Sequence, residues 1–174
     1  MTRDFFEVLG VPRKFHLPTE ELEQRYLALS KQLHPDRFAQ ASPRERLMAV
    51  QKTTELNDAY RVLRDRVKRA TYILKREGLD VADERGAVKA SPALLGAMME
   101  LNEELSEAAG NEARARTLAA RVEADRAQAL ERVDEKFGVF EAGERGVLPE
   151  IAQALIAVRY YDRFLERATG AEDL

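Results

Sequence analysis

Leu22, Tyr26, Leu29 and Leu33 follow one another at intervals of four, three and four residues, the spacing of one face of an α-helix. Pro18 suits the first turn of that helix, and Glu20 and Glu21 complement the positive end of its dipole. Pro35 ends it, because a proline biases the preceding residue away from α geometry. Before it lies a short turn-rich opening with Phe5, Phe6, Val8 and Leu9 ahead of Gly10 and Pro12. After "QASP" a second long helix begins near Pro43, with Leu47, Val50, Leu56, Ala59, Tyr60 and Leu63 expected on its buried side. The pattern resumes through "RVKRATYILKRE" and halts at Gly78. Residues 78–91 show little periodicity and carry two glycines, and read as a linker or irregular crossover.

Three further helical patterns follow. In the first, Ser91 is the N-cap, Pro92 the first helical residue and Gly110 the stop, with Leu94, Met98, Leu101 and Leu105 as the core stripe. The second spans roughly Asn111 to Phe137, with Leu118, Val122, Ala129, Val133 and Phe137 on one side. The third runs from near Val147 to near Gly170, with Leu148, Ile151, Leu155, Val158 and Leu165 as its core side and Tyr160 opposite, flanked by Ile156 and Phe164. No alternating β-branched run is long enough for a strand. The expected fold is all-α: an N-terminal helical hairpin over 1–77, a linker over 78–91 and a three-helix bundle over 92–170, connected up–down–up.

Composition narrows the function. At 174 residues the chain suits one medium domain or two small ones, and 45% hydrophobic content is enough to bury a core. A net charge of -3 supplies no global basic field for nucleic acid or an anionic membrane. With no cysteine, disulfides, a thiol nucleophile and cysteine-ligated zinc or iron–sulfur centres are excluded. No apolar run approaches the roughly 20 residues of a membrane span, and "MTRDFFEVLG" lacks the apolar core of a signal peptide. A soluble, cytoplasmic protein without a cofactor or metal is expected.

Candidate chemistry concentrates in "KQLHPDRF", where His34 and Asp36 flank a proline. A histidine beside a carboxylate suits general acid–base catalysis. No serine lies in a nucleophile-elbow pattern, and the second histidine, His16, reads as an ordinary surface or partly buried imidazole. Two histidines and one aspartate fall short of a metal site. Taken alone, the tripeptide reads as a turn whose Asp bonds the backbone. In context it follows an amphipathic helix carrying Arg25 and Lys31, is trailed by Arg37, and precedes a helix containing "AYRVLRD". With the opening "DFFEVLGV", this arrangement resembles the J-domain, the module that activates DnaK-type chaperone ATPases. The resemblance implies that His34, Pro35 and Asp36 contact the ATPase without chemistry of their own, and that Arg25, Lys31 and Arg37 steer the encounter. Glu20, Glu21 and Glu23 make the first turn more acidic than is usual in that family.

Beyond residue 77 there is neither a glycine-rich segment nor cysteine repeats. "RATYIL" before Gly78 and "MELNEEL" after the linker instead make the whole chain similar to the HscB family. That resemblance implies a non-enzymatic co-chaperone that brings an IscU-type iron–sulfur scaffold protein to an HscA-type chaperone. Around the first bundle helix, Leu95, Met99, Glu100, Glu103 and Glu107 fall in a sector away from the core stripe. They read either as a partner surface or as a widened apolar stripe beside solvated glutamates. The resemblance matches the scaffold-binding positions to Leu95, Met99, Glu100, Glu103, Glu107 and Tyr160, whereas Gly96 stands where a bulky apolar residue is usual. The competing readings are a J-domain protein delivering another client to a general DnaK-type chaperone, and a helical adaptor in which His-Pro-Asp is accidental. A monomer, at most weakly self-associating, is expected.

Overall fold

The computed structural model describes residues 3–38, 40–82 and 88–169. All regular structure among them is helical, as expected. The chain divides into two compact units between Tyr72 and Ile73.

The first unit holds α1 (Phe5–Leu9), α2 (Thr19–Leu33), α3 (Pro43–Arg64) and the start of α4 (Arg66–Arg76). Five residues are too few for a helix to persist alone, so α1 depends on its surroundings. Asp4 caps it, accepting from the Phe6 N–H at 3.1 Å and the Tyr72 hydroxyl at 3.2 Å. The Arg13 guanidinium pairs with the same carboxylate. The Tyr72 ring stacks on Phe5 at 4.7 Å. Burial pushes the Asp4 carboxyl up, but the Phe6 N–H, Arg13 and the Tyr72 hydroxyl together hold it below the ordinary aspartate value.

Between α2 and α3 the seam is apolar and aromatic. Leu22, Leu56 and Leu63 are fully buried, and truncating any one of them to alanine costs about 2–5 kcal/mol. Tyr26 stacks on Tyr60 at 4.1 Å and donates to Asn57 at 3.1 Å. The start of α3 is fixed by a reciprocal cap: the Glu45 N–H donates to the Ser42 hydroxyl, and the Glu45 carboxylate accepts from the Ser42 N–H.

Two expectations for α3 fail. Leu47 and Val50 are 59% and 60% exposed rather than buried. Ala49, Leu56, Ala59 and Leu63 set the seam, and at ~100° per residue Leu47 points nearly opposite it while Val50 lies well to one side. Helical phase, not apolar character, decides which side chains are covered.

The second unit is built on α6 (Glu112–Glu141) and α7 (Leu148–Thr169), packed along each other and joined by a short turn with Gly143 at φ 109°. Val122, Val133, Phe137, Ile151 and Val158 are fully or almost fully buried. α5 (Pro92–Glu107) rests on one end of this pair, where Met98 and Leu101 join Leu118, Val122 and Phe164 in one cluster. Ser91 caps α5 through the Leu94 N–H. Ile156 and Phe164, expected with Tyr160 opposite the core, are instead fully buried, while Leu165 is only partly so. α7 packs against both α5 and α6, so most of its circumference is covered.

The expected linker is held to this unit at both described ends; residues 83–87 lie outside the described set. Val81 is buried and its carbonyl accepts from Arg159. Gln153 donates to the Lys89 carbonyl at 2.8 Å and accepts from the Ser91 N–H at 3.2 Å.

Candidate functional site

The first candidate is the corner after α2. Preceding a proline, His34 leaves helical geometry, with φ -57° and ψ 133°. Pro35–Phe38 then form one 3-10 turn, closed by the Arg37 N–H donating to the His34 carbonyl at 3.0 Å. The Asp36 N–H lies 3.3 Å from His34 Nδ1, and the Asp36 carboxylate 3.4 Å from the same nitrogen. The turn therefore holds His34 and Asp36 side by side while leaving their side chains 58% and 89% exposed. The Pro35 side chain lies outside the described set.

A carboxylate this open, presented on a hydrogen-bonded turn, is suited to pairing with a cation on another molecule. Arg25, Lys31 and Arg37 are all exposed, though Arg25 and Lys31 stand ~120° apart around α2 and form no single stripe. Beside the corner, Leu33 and Phe38 of one side and Ala49, Val50 and Thr53 of α3 line a groove of about 260 Å³. The motif gave no sign of this groove. Among the described residues, no group of three or more acidic or histidine side chains is placed to hold a metal.

The second candidate lies between α5 and α7. Leu95 and Met99 are 42% and 66% exposed and, with Met98 and the half-buried Tyr160, line a groove of about 600 Å³. Leu95, Met99 and Tyr160 are thus brought together, and Tyr160 also packs on the bundle core. Glu100, Glu103 and Glu107 are exposed, but Glu107 already pairs with Arg114 at 2.9 Å. A Cβ built on Gly96 meets nothing within 4 Å. A side chain there would stand in open space, so the surface is shallower at that point. Asn102, Arg163, Glu166 and Arg167 complete the groove and were not among the expected site residues. Their signal was faint: Arg163 and Arg167 stand three and seven residues beyond Tyr160.

Comparison with known proteins matches this division. Residues 4–72 match the DnaJ domain, and 90–169 match the HSCB C-terminal oligomerisation domain. With His34 and Asp36 exposed on a corner at the end of a packed helix pair, the first unit makes this a J-domain protein. The Co-chaperone protein HscB homologues of Vibrio cholerae (strain M66-2) and Vibrio vulnificus (strain YJ016) are 43% and 44% identical over 102 residues. That match spans 59% of this chain and 59% of each relative's length. Over whole chains, the structure of chaperone HscB from Vibrio cholerae has a TM-score of 0.76 at 30% identity, covering 98% of both. That of human co-chaperone HscB reaches 0.81 at 28% identity, covering 99% of this chain and 83% of its own. The chain belongs to the HscB family of J-domain co-chaperones.

Proposed function

We propose that this protein stimulates ATP hydrolysis by an HscA/DnaK-type chaperone and delivers an IscU-type scaffold protein to it, in the service of iron–sulfur cluster assembly. The observation that carries the reading is the presence, in one chain, of a corner that exposes His34 and Asp36 side by side and of a groove that Leu95, Met99 and Tyr160 line together. The corner acts by contact. Asp36 accepts from a cation of the ATPase, Pro35 limits the conformational freedom lost on docking, and Arg25, Lys31 and Arg37 raise the encounter rate with an acidic surface. No bond in ATP is broken by a residue of this chain, which makes it a regulator and not an enzyme.

The scaffold sits on Leu95, Met99 and Tyr160, with Glu100, Glu103 and Glu107 facing its basic groups. Cluster and metal travel as cargo of the scaffold. On this reading 1–77 form the ATPase-activating part and 92–170 the scaffold-binding part of a cytoplasmic protein.

Steady-state ATP turnover by a purified HscA-type chaperone tests the proposal. Turnover should rise when this protein is added, and rise further when an IscU-type scaffold is added with it. A second reading, delivery of a different client to a general DnaK-type chaperone, draws support from Gly96, which leaves a gap where family members place apolar surface. Stimulation of a DnaK-type ATPase, with no calorimetric signal for an IscU-type scaffold, would favour that reading.

A further inference from the structure

Leu47, Met48 and Val50 crowd four residues of α3. With Leu27 on α2, they are the large apolar side chains that the first unit leaves exposed among its described residues. The seam with α2 does not use them, since Ala49, Leu56, Ala59 and Leu63 set it. At ~100° per residue Val50 lies ~40° from both Arg46 and Thr54, and Leu47 a further ~20° beyond Thr54, whereas Met48 turns away. One outer face of α3 therefore carries Arg46, Leu47, Val50 and Thr54.

That face runs into the groove beside the corner, whose other side is Leu33, the last residue of α2, and Phe38, the last of the 3-10 turn. His34 and Asp36 lie between these two in the chain. The hydroxyls of the lining are already engaged: Thr53 donates to the Ala49 carbonyl at 2.9 Å and to the Leu33 carbonyl at 3.4 Å, and Thr54 to the Val50 carbonyl at 3.1 Å. What remains for a visitor is apolar contact and one cation, Arg46. Among the described residues, neither Arg46 nor Arg37 on the corner makes a side-chain hydrogen bond or ion pair. Exposed apolar surface gathered in this way marks a contact site.

We infer that this face is a second contact for the ATPase chaperone, which seats an apolar side chain in the groove and sets a carboxylate against Arg46 while its cation meets Asp36. This rests on the reading of the corner as the ATPase contact, and it adds what else that partner presents there. Continuity with the corner selects the chaperone as occupant, and Arg37 and Arg46 ask for an acidic surface. A single exposed charge pair holds a partner weakly; covering Leu47 and Val50 adds contact that salt does not screen. The corner triggers, and the groove holds.

The test is ATP turnover by a purified HscA-type chaperone, titrated with the full-length protein to give a half-point and a maximum. Leu47→Gln with Val50→Gln, both good helix formers, should raise the half-point roughly tenfold and leave the maximum near wild type. Leu47→Met with Val50→Ile should stay within about twofold of wild type, because apolar contact is retained. Arg46→Gln should raise the half-point about two- to fivefold at low salt, with the difference closing near 0.5 M salt. Thermal melts of all three should stay within a degree or two of wild type.

Asp36→Asn, measured alongside, separates this inference from the reading beneath it. If Asp36→Asn abolishes stimulation while the double glutamine variant keeps the wild-type half-point, the groove contact is wrong and the corner stands. If the wild type does not stimulate, the reading of the corner itself fails. A lowered maximum at an unchanged half-point, or a melt lowered by several degrees, would also overturn the groove. So would an unchanged half-point together with loss, in the glutamine variant, of either binding to phosphatidylglycerol vesicles or self-association in sedimentation; these would assign the face to a membrane or to a second copy.

Discussion

The corner after α2 and the groove between α5 and α7 hold their candidate residues in the fold in opposite ways. At the corner, the candidate side chains His34 and Asp36 are exposed and contribute little to packing; the geometry before a proline and a backbone hydrogen bond hold them. In the groove, a candidate residue is also part of the core: Tyr160 lines the surface and packs on the cluster around Phe164. A short motif can change its chemistry without unfolding anything. A shared surface cannot.

The sharpest way to break that comparison is at the corner. Asp36→Asn or His34→Gln should abolish stimulation of an HscA-type ATPase while circular dichroism and the melting temperature stay at wild-type values, since an exposed loop side chain carries little stability. A melt lowered by several degrees would show the corner to be structural after all.

Next in size is the groove. Met99→Ala combined with Tyr160→Ala should weaken scaffold binding by about 2 kcal/mol or more, the range of hot-spot residues. The single variants should differ in melting. Met99→Ala leaves it unchanged because the side chain is 66% exposed, whereas Tyr160→Ala lowers it because half of the ring is lost from the core. Equal melts for the two would remove the dual role given to Tyr160.

Why the two regions were unequally legible follows from the same contrast. His34, Pro35 and Asp36 are adjacent letters, and the caps Ser42 with Pro43 and Ser91 with Pro92 announce their helices locally. Phase set Leu95 and Met99 apart from the narrow core stripe of α5, and the family resemblance made them site candidates. Phase failed on α3, where Leu47 and Val50 are apolar but face away from the seam, since only the true partner identifies the seam. It failed on α7, where covering by two helices buries Ile156 and Phe164, while Leu165 of the expected stripe is only partly covered.

A third prediction moves to the base of the first unit, where a charge is buried for stability and not for contact. The Asp4 carboxyl is held below its ordinary value. Its contribution is therefore present above the unfolded aspartate value of about 3.9 and is lost as pH falls below it. Thermal melts from pH 7 to pH 3 should show Asp4→Asn destabilised by about 1–3 kcal/mol at neutral pH, with the gap to wild type closing in acid. Asp36→Asn should track wild type throughout. A constant gap for Asp4→Asn would assign its cost to shape and not to charge.

The smallest effect concerns Gly96. Open space around it means Gly96→Ala should stabilise the second unit by up to about 1 kcal/mol through helix propensity. Gly96→Leu should also tighten scaffold binding by restoring apolar area beside Met99. Weaker binding by the leucine variant would show that the partner already occupies that gap.

The central claim is that one chain must carry both surfaces at once, and mixing two single-site variants tests it most directly. Asp36→Asn should bind scaffold without stimulating, and Met99→Ala with Tyr160→Ala should stimulate weakly while binding scaffold about 2 kcal/mol or more less tightly. ATP turnover by the HscA-type chaperone, measured with scaffold present and both variants mixed in equal amounts, should stay at the level of the groove variant alone. Recovery of wild-type turnover by the mixture would show that the two surfaces need not be joined, and would contradict delivery as the function.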